Sequence, residues 1–343
     1  MGGHKSIMEN LLQNGALLSE SKGLLDVCVS NGSDDILEMI LSREEDLQFA
    51  DESKAVGSAC ERGQVSVVET LLSHGRPPCP ASLHRAVEAG QVQVVSLLLQ
   101  HGADVAGLDS GGKSPLHFAI LKDRAASQEE LAPYAEIIEL LIQSGANPDS
   151  GSPLHKASYW GHIELARLLV GHGADVNLQD GKGLTPLHEG CRGGHEGLVE
   201  FLLNNGANID ATDGRGYTPL MVAVSTTDKA FAQSKLRSKF GKCDNFSVVK
   251  LLVSRGAALD TRACDGQTAL HLAVSRQHRE QFVCLVRAGA RLNISCHRGT
   301  TPLTRDQGWG TNICSRLDPD LYRILVEFLV CCLKLSKPRI KMR

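Results

Sequence analysis

The chain restarts on the same short pattern at intervals of 33 residues, and no other feature narrows its possible folds as much. The clearest unit runs from Thr185 to Gly216, TPLHEGCRGGHEGLVEFLLNNGANIDATDGRG, and the next begins at Thr218-Pro219-Leu220. Aligned on Thr185, units start at Ala81, Ser114, Ser152, Thr185, Thr218, Thr268 and Thr301, with successive spacings of 33, 38, 33, 33, 50 and 33. Fainter copies fit starts at Gly23 and Lys54, and Met8 to Leu17 reads as the second helix of an incomplete unit. Each residue type in the unit has a physical reason to be there. Thr185 suits an N-cap, Pro186 needs no amide donor at the first helical position, and Leu187 opens a buried stripe. Gly194 can take the left-handed conformation that ends this short helix. Leu198, Val199, Leu202 and Leu203 form the apolar face of a second helix, which Gly206 stops. Asp213-Gly214-Arg215-Gly216 supplies turn chemistry for a hairpin-like finger. One such unit cannot bury its own apolar face, so neighbours must stack.

The pattern resembles the ankyrin repeat: the opening TPLH, the Gly194-His195 pair nine residues on, the Leu202-Leu203 pair, and Gly206-Ala207 before the Asp-x-x-Gly finger. The resemblance covers nearly the whole chain. It implies an all-α repeat solenoid of paired antiparallel helices with hairpin-like fingers, about eight full repeats with incomplete ends. The expected organisation is an incomplete repeat and tail over 1–22 and an array over 23–300, with units starting near 23, 54, 81, 114, 152, 185, 218 and 268. A degenerate capping repeat over 301–335 and a basic tail over 336–343 follow. Two units are stretched: Ser114 to Gly145 spans 31 residues and Thr218 to Gly256 spans 38, against 21 from Thr185 to Gly206. Both insertions are expected to lengthen the loop between the two helices. Only seven residues separate Gly145 from Ser152 where twelve separate Gly173 from Thr185, which predicts a gap in the row of fingers.

The repeat also accounts for residues that otherwise look chemical. His84, His117, His155, His188 and His271 are the fourth residue of the opening motif, and His162, His195 and His278 fill the GH site. His74, His101 and His172 precede the helix-ending glycine, so eleven of the 13 histidines are assigned structural places. The resemblance implies that the opening-motif histidines hydrogen-bond between neighbouring units. No nucleophile elbow, phosphate loop, dinucleotide fingerprint or paired His/Cys ligand spacing occurs, and no catalytic residue, metal or cofactor is assigned. Eleven cysteines, an odd number with Cys331 and Cys332 adjacent, fit a reducing cytoplasmic setting better than a disulfide framework. A formal charge of −3 gives no general attraction to nucleic acid, and the most apolar stretch, Ile324 to Leu333, is too short to span a membrane.

What remains is a non-enzymatic module, monomeric on its own, that binds one or more proteins. In an array of this kind the first helices line a groove, reached by positions four, seven and eight after the motif start. These place Phe118, Lys156, Tyr159, Trp160, Glu189, Arg192 and Trp309 on the groove, with finger residues Leu178, Lys182, Leu184, Arg215 and Tyr217 reaching toward it. Tyr159 and Trp160 are its expected centre, since Tyr and Trp dominate binding hot spots. The second insertion carries Lys229, Lys235, Arg237, Lys239 and Lys242 against Asp228 and Asp244 and reads as a solvated loop. The opening MGGHKS matches an N-myristoylation pattern on Gly2, and Cys331 and Cys332 beside a basic tail could add a second lipid signal, the only route by which membrane binding is expected. The region ending at Leu335 invites comparison with the SOCS box that recruits a ubiquitin ligase, but no proline-leucine cullin-binding element is recognisable. A substrate adaptor with a degenerate recruiting end is the alternative.

Overall fold

A computed structural model describes residues 29, 31–43, 52–75, 78–121, 128–226 and 245–302. Among them are 15 helices and no strand, which makes the chain an all-α repeat solenoid. In chain order the helices are α1 (Asp34–Arg43), α2 (Glu52–Arg62), α3 (Val65–Ser73), α4 (Pro80–Glu88), α5 (Val92–Gln100), α6 (Pro115–Leu121), α7 (Gln128–Gln143) and α8 (Pro153–Trp160). They continue as α9 (Ile163–Gly171), α10 (Pro186–Gly193), α11 (Glu196–Asn204), α12 (Pro219–Ser225), α13 (Asn245–Ser254), α14 (Ala269–Arg276) and α15 (Arg279–Arg287). The chain divides into two compact units, one of Met1–Ala157 and Glu164–Asp175, the other of Ser158–Ile163 and Val176–Arg343.

In the first unit α2, α4 and α6 stack as one row, and α1, α3, α5 and α7 as another. Its core is aliphatic, with Leu37, Val68, Val87, Val95, Leu98, Ile120, Ile137 and Leu141 sealed from solvent. In the second unit α10, α12 and α14 form one row and α11, α13 and α15 the other, over Leu187, Val199, Leu202, Leu220, Val249, Leu270, Phe282 and Leu285. Burial of apolar stripes across these rows is what lets helices of seven to ten residues persist, since isolated helices of that length are marginal in water.

The first insertion departs from expectation. It does not lengthen only the connection: α7 runs over 16 residues, against nine for α5 and α11, with Pro133 inside it. Pro133 cannot make one intrahelical bond, and packing of α7 against α5 and α6 offsets that loss. Tyr134 then takes over the task of the missing GH pair. At the start of other second helices, His195 Nε2 meets the Tyr159 carbonyl at 3.1 Å, His278 Nδ1 meets that of Val224 at 2.9 Å, and Gln91 donates to that of Glu61 at 3.3 Å. In the inserted unit the Tyr134 hydroxyl reaches the Glu88 carbonyl at 3.2 Å, the matching point of the preceding first helix.

Five of the first helices close on a left-handed residue. Gly63, Gly90, Gly161 and Gly194 hold φ between 72° and 79°, but Gln277 occupies the same place at φ 61°. A side chain costs about 1–2 kcal/mol in that conformation, against about 0.5–1 kcal/mol for the chain freedom of glycine. Gln277→Gly is therefore expected to raise stability by about 0.5–1 kcal/mol, measured as a higher urea midpoint.

Candidate functional site

Three sets of hydrogen bonds hold the units of the array in register, and they determine where the candidate residues sit. The first set belongs to the opening-motif histidines. Thr185 N–H donates to His188 Nδ1 at 3.1 Å, which makes that nitrogen an acceptor and leaves the ring proton on Nε2, 2.9 Å from the carbonyl of Tyr217 in the next finger. His271 repeats the arrangement with Thr268 N–H and the Thr300 carbonyl, and His84 Nε2 meets the Lys113 carbonyl at 3.0 Å. These histidines tie neighbouring units together, as the resemblance implied. The second set pairs finger with finger: Gly214 N–H donates to Lys182, Cys264 N–H to Arg215 and His297 N–H to Asp265. In the third, found in four repeats, a side chain at the start of the finger region caps an amide after the next repeat's helix-ending glycine. Asp149 receives Asp175 N–H, Asn177 receives Asn208, Asp210 receives Ala258 and Asp260 receives Arg291.

In the second unit this framework gathers four of the expected groove residues. The Arg192 guanidinium lies 5.4 Å from the Tyr159 ring centroid, and Tyr159 and Trp160 are 6.3 Å apart. Trp160 also meets the His162 ring edge-on at 6.4 Å. Glu189 holds Arg192 from one helical turn back, at 3.6 Å. Both aromatics are half-buried and Arg192 is exposed. The backbone beneath them is fixed: a Cβ on Gly193 would stand 2.5 Å from the Tyr159 carbonyl oxygen, so only glycine admits the approach that lets His195 bond to that oxygen.

The expected finger residues form a second group in the same unit. Asp180 accepts the amides of Lys182 and Leu184, and Asp213 those of Arg215 and Tyr217, all at 2.8–2.9 Å. Lys182 and Arg215 point to solvent, whereas Leu178, Leu184 and Tyr217 are half-buried. Burial pushes the Tyr217 hydroxyl pKa up, with Asp265 acting the same way and Arg215 and Arg276 opposing. Arg276 and Asp265 were not foreseen, because their relevance depends on which finger lies beside which helix end.

Phe118 and Lys156 belong to the first unit. Phe118 stands edge-on to His84 at 5.6 Å, with Lys113 Nζ 5.6 Å from its ring centroid. Lys156 Nζ lies 3.2 Å from Nδ1 and 3.4 Å from Nε2 of His117. The anticipated gap in the fingers is real: residues 147–152 fold into tight turns closed by Ser150 N–H to Asn147 and Ser152 N–H to Asp149, with Ser152 itself at φ 56°. His117 therefore differs from His188 and His271, and Lys156 stands beside its ring. Leu108, 62% exposed, was also missed.

Trp309, Gly2, Cys331 and Cys332, the charged insertion residues from Asp228 to Asp244, and the stretch compared with a SOCS box lie outside the described residues. Among the described residues no helix is long and apolar enough to cross a membrane, and no three His, Cys, Asp or Glu converge to hold a metal ion.

Family models described as "Ankyrin repeats (3 copies)" match residues 25–105, 56–150, 125–180 and 154–234, and one described as "Ankyrin repeat" matches 265–297. Over 75 residues, 22% of this chain, the sequence is 37% identical to "Ankyrin repeat domain-containing protein 13B" of Mus musculus and of Homo sapiens. The aligned stretch spans 11% of those proteins' length.

Proposed function

Because this chain belongs to the ankyrin-repeat family, whose repeats form protein-interaction domains, we propose that it is a non-enzymatic scaffold of the cytoplasm that docks a partner protein on the Tyr159, Trp160 and Arg192 cluster. The observation that carries this reading is the cluster itself. Two large aromatics and a guanidinium are held half-buried or exposed on a backbone fixed by Gly193 and His195. Such side chains bury much area at little entropic cost, and the exposed Arg192 guanidinium over the Tyr159 ring supplies the polar anchor. The exposed Lys182 and Arg215 extend the contact along the finger tips.

The test is affinity purification with mass spectrometry from cells, comparing the native chain with the Tyr159→Ala, Trp160→Ala double variant. Truncating a hot-spot pair weakens binding by at least about 2 kcal/mol, roughly thirtyfold, so a discrete set of partners should disappear from the variant. An unchanged partner list, from a variant whose melting curve shows it folded, would remove the site.

A further inference from the structure

The interrupted finger row leaves a distinctive corner on the first unit. In two other fingers the side chain before the turn bonds its successor: Gln179 donates to the Thr212 carbonyl and Arg262 to that of Ser295. In the finger of residues 104–113 the corresponding position is Leu108, which has no donor and is 62% exposed. Leu108 directly precedes a hairpin turn closed by Asp109 N–H to the Lys113 carbonyl. Here too the opening-motif histidine, His117, has Lys156 Nζ beside its ring where His188 has a finger carbonyl.

The charges at this corner do not cancel. Lys113 and Lys156 both act on His117, whose pKa is lowered by burial first and then by Lys156 and Lys113; among the described residues Asp109 alone acts in the other direction. Burial and Lys113 together push the Lys156 amine down to about 8. The Asp109 carboxylate is itself engaged by the amides of Gly111 and Lys113 at 2.8 and 2.7 Å. Among the described residues neither lysine forms an ion pair. Among the described residues, two ammonium groups stand against one carboxylate with His117 neutral, an excess of about one positive charge at the corner whose finger carries the exposed Leu108.

We infer that this corner of the first unit docks an extended acidic segment of a partner protein, its carboxylate held by Lys113, Lys156 and His117 and an apolar side chain covering Leu108. The inference rests on the reading of the chain as a protein-binding module but uses a separate surface. One negative charge matches the corner, which favours a carboxylate over a dianionic phosphate.

Fluorescence anisotropy on the full chain tests it, using a labelled peptide of alternating glutamate and leucine as the probe. We expect saturable binding that weakens with added salt. It should fall at least about tenfold in Lys113→Met, Lys156→Met, and several-fold in Leu108→Ser, a surface change that leaves the fold alone. A peptide with glutamine for glutamate should not bind. Equal binding by the glutamine peptide, or by both variants, overturns the inference. A peptide with phosphoserine in place of glutamate that binds more than about tenfold tighter also overturns it, assigning the corner to phosphorylated segments. If the probe fails while the native chain still captures partners that depend on Tyr159 and Trp160, this inference alone is lost. If the probe binds and no such partners appear, the aromatic site is lost instead.

Discussion

Gly193→Ala is expected to destabilise the second unit by about 2–5 kcal/mol, more than a glycine-to-alanine change near a helix end would ordinarily do. The new methyl carbon would lie 2.5 Å from the Tyr159 carbonyl oxygen and 2.5 Å from the His195 ring. Overpacking against backbone costs about 1–3 kcal/mol. Pushing the Tyr159 carbonyl away also breaks its 3.1 Å bond with His195, a further 1–2 kcal/mol or so. For a unit of this size the melting point should drop by roughly 10 °C, and the Tyr159, Trp160 and Arg192 cluster should lose its geometry with it. Gly197→Ala is the control with the opposite sign. Nothing lies within 4 Å of its Cβ, and it sits inside α11, so alanine should add about 0.5–1 kcal/mol. Urea titrations of the two variants side by side check both; comparable small effects would show that the approach at Gly193 is not tight in solution.

Lowering the pH from 7 to 5 is expected to have the second large effect. Burial, reinforced by the neighbouring His195, holds the His162 imidazole near a pKa of about 4, below the value of about 6.5 for an exposed one. The unfolded chain therefore binds the extra proton first. Stability contributed by this group is complete above pH 6.5 and is lost progressively as the pH falls toward 4. At pH 5 His162 alone accounts for about 2 kcal/mol. Burial lowers His117, His188 and His195 in the same direction. For His188 there is also a structural reason, since a proton on Nδ1 would abolish the bond from Thr185 N–H. Urea midpoints should fall steadily between pH 7 and 5, and His162→Gln should flatten the profile by about 2 kcal/mol. A flat profile in the native chain would mean that these rings take up protons without unfolding.

The periodic parts of the fold were legible because they rest on local chemistry. Thr185, Pro186 and the leucines after them specify a capped, one-sided helix whatever surrounds it, and Gly194 and Gly206 end their helices at φ 73° and 87° as the spacing required. The short finger before Ser152 was legible as a missing stretch of residues. The extended α7 was not, because Pro133 reads as a helix stop and only packing against α5 and α6 shows that the helix runs through it. For the candidate site, period three and four placed Tyr159, Trp160 and Arg192 on one surface, but not their mutual distances. The Lys113, His117 and Lys156 corner was hidden for another reason. His117 matches the motif perfectly, and what sets it apart is the finger that fails to arrive 34 residues later.

Tyr134 carries one last implication. Its hydroxyl restores the strut to Glu88 that a GH pair would have made, although the unit has gained residues between its helices. The second stretched unit shows the same economy, with Asn245 at the start of α13 donating to the Ala223 carbonyl at 3.5 Å. Length can thus be added at this corner of a repeat while the register of every neighbour is kept. For protein engineering, the α6–α7 and α12–α13 connections are the natural insertion points for a fluorescent reporter or an affinity tag.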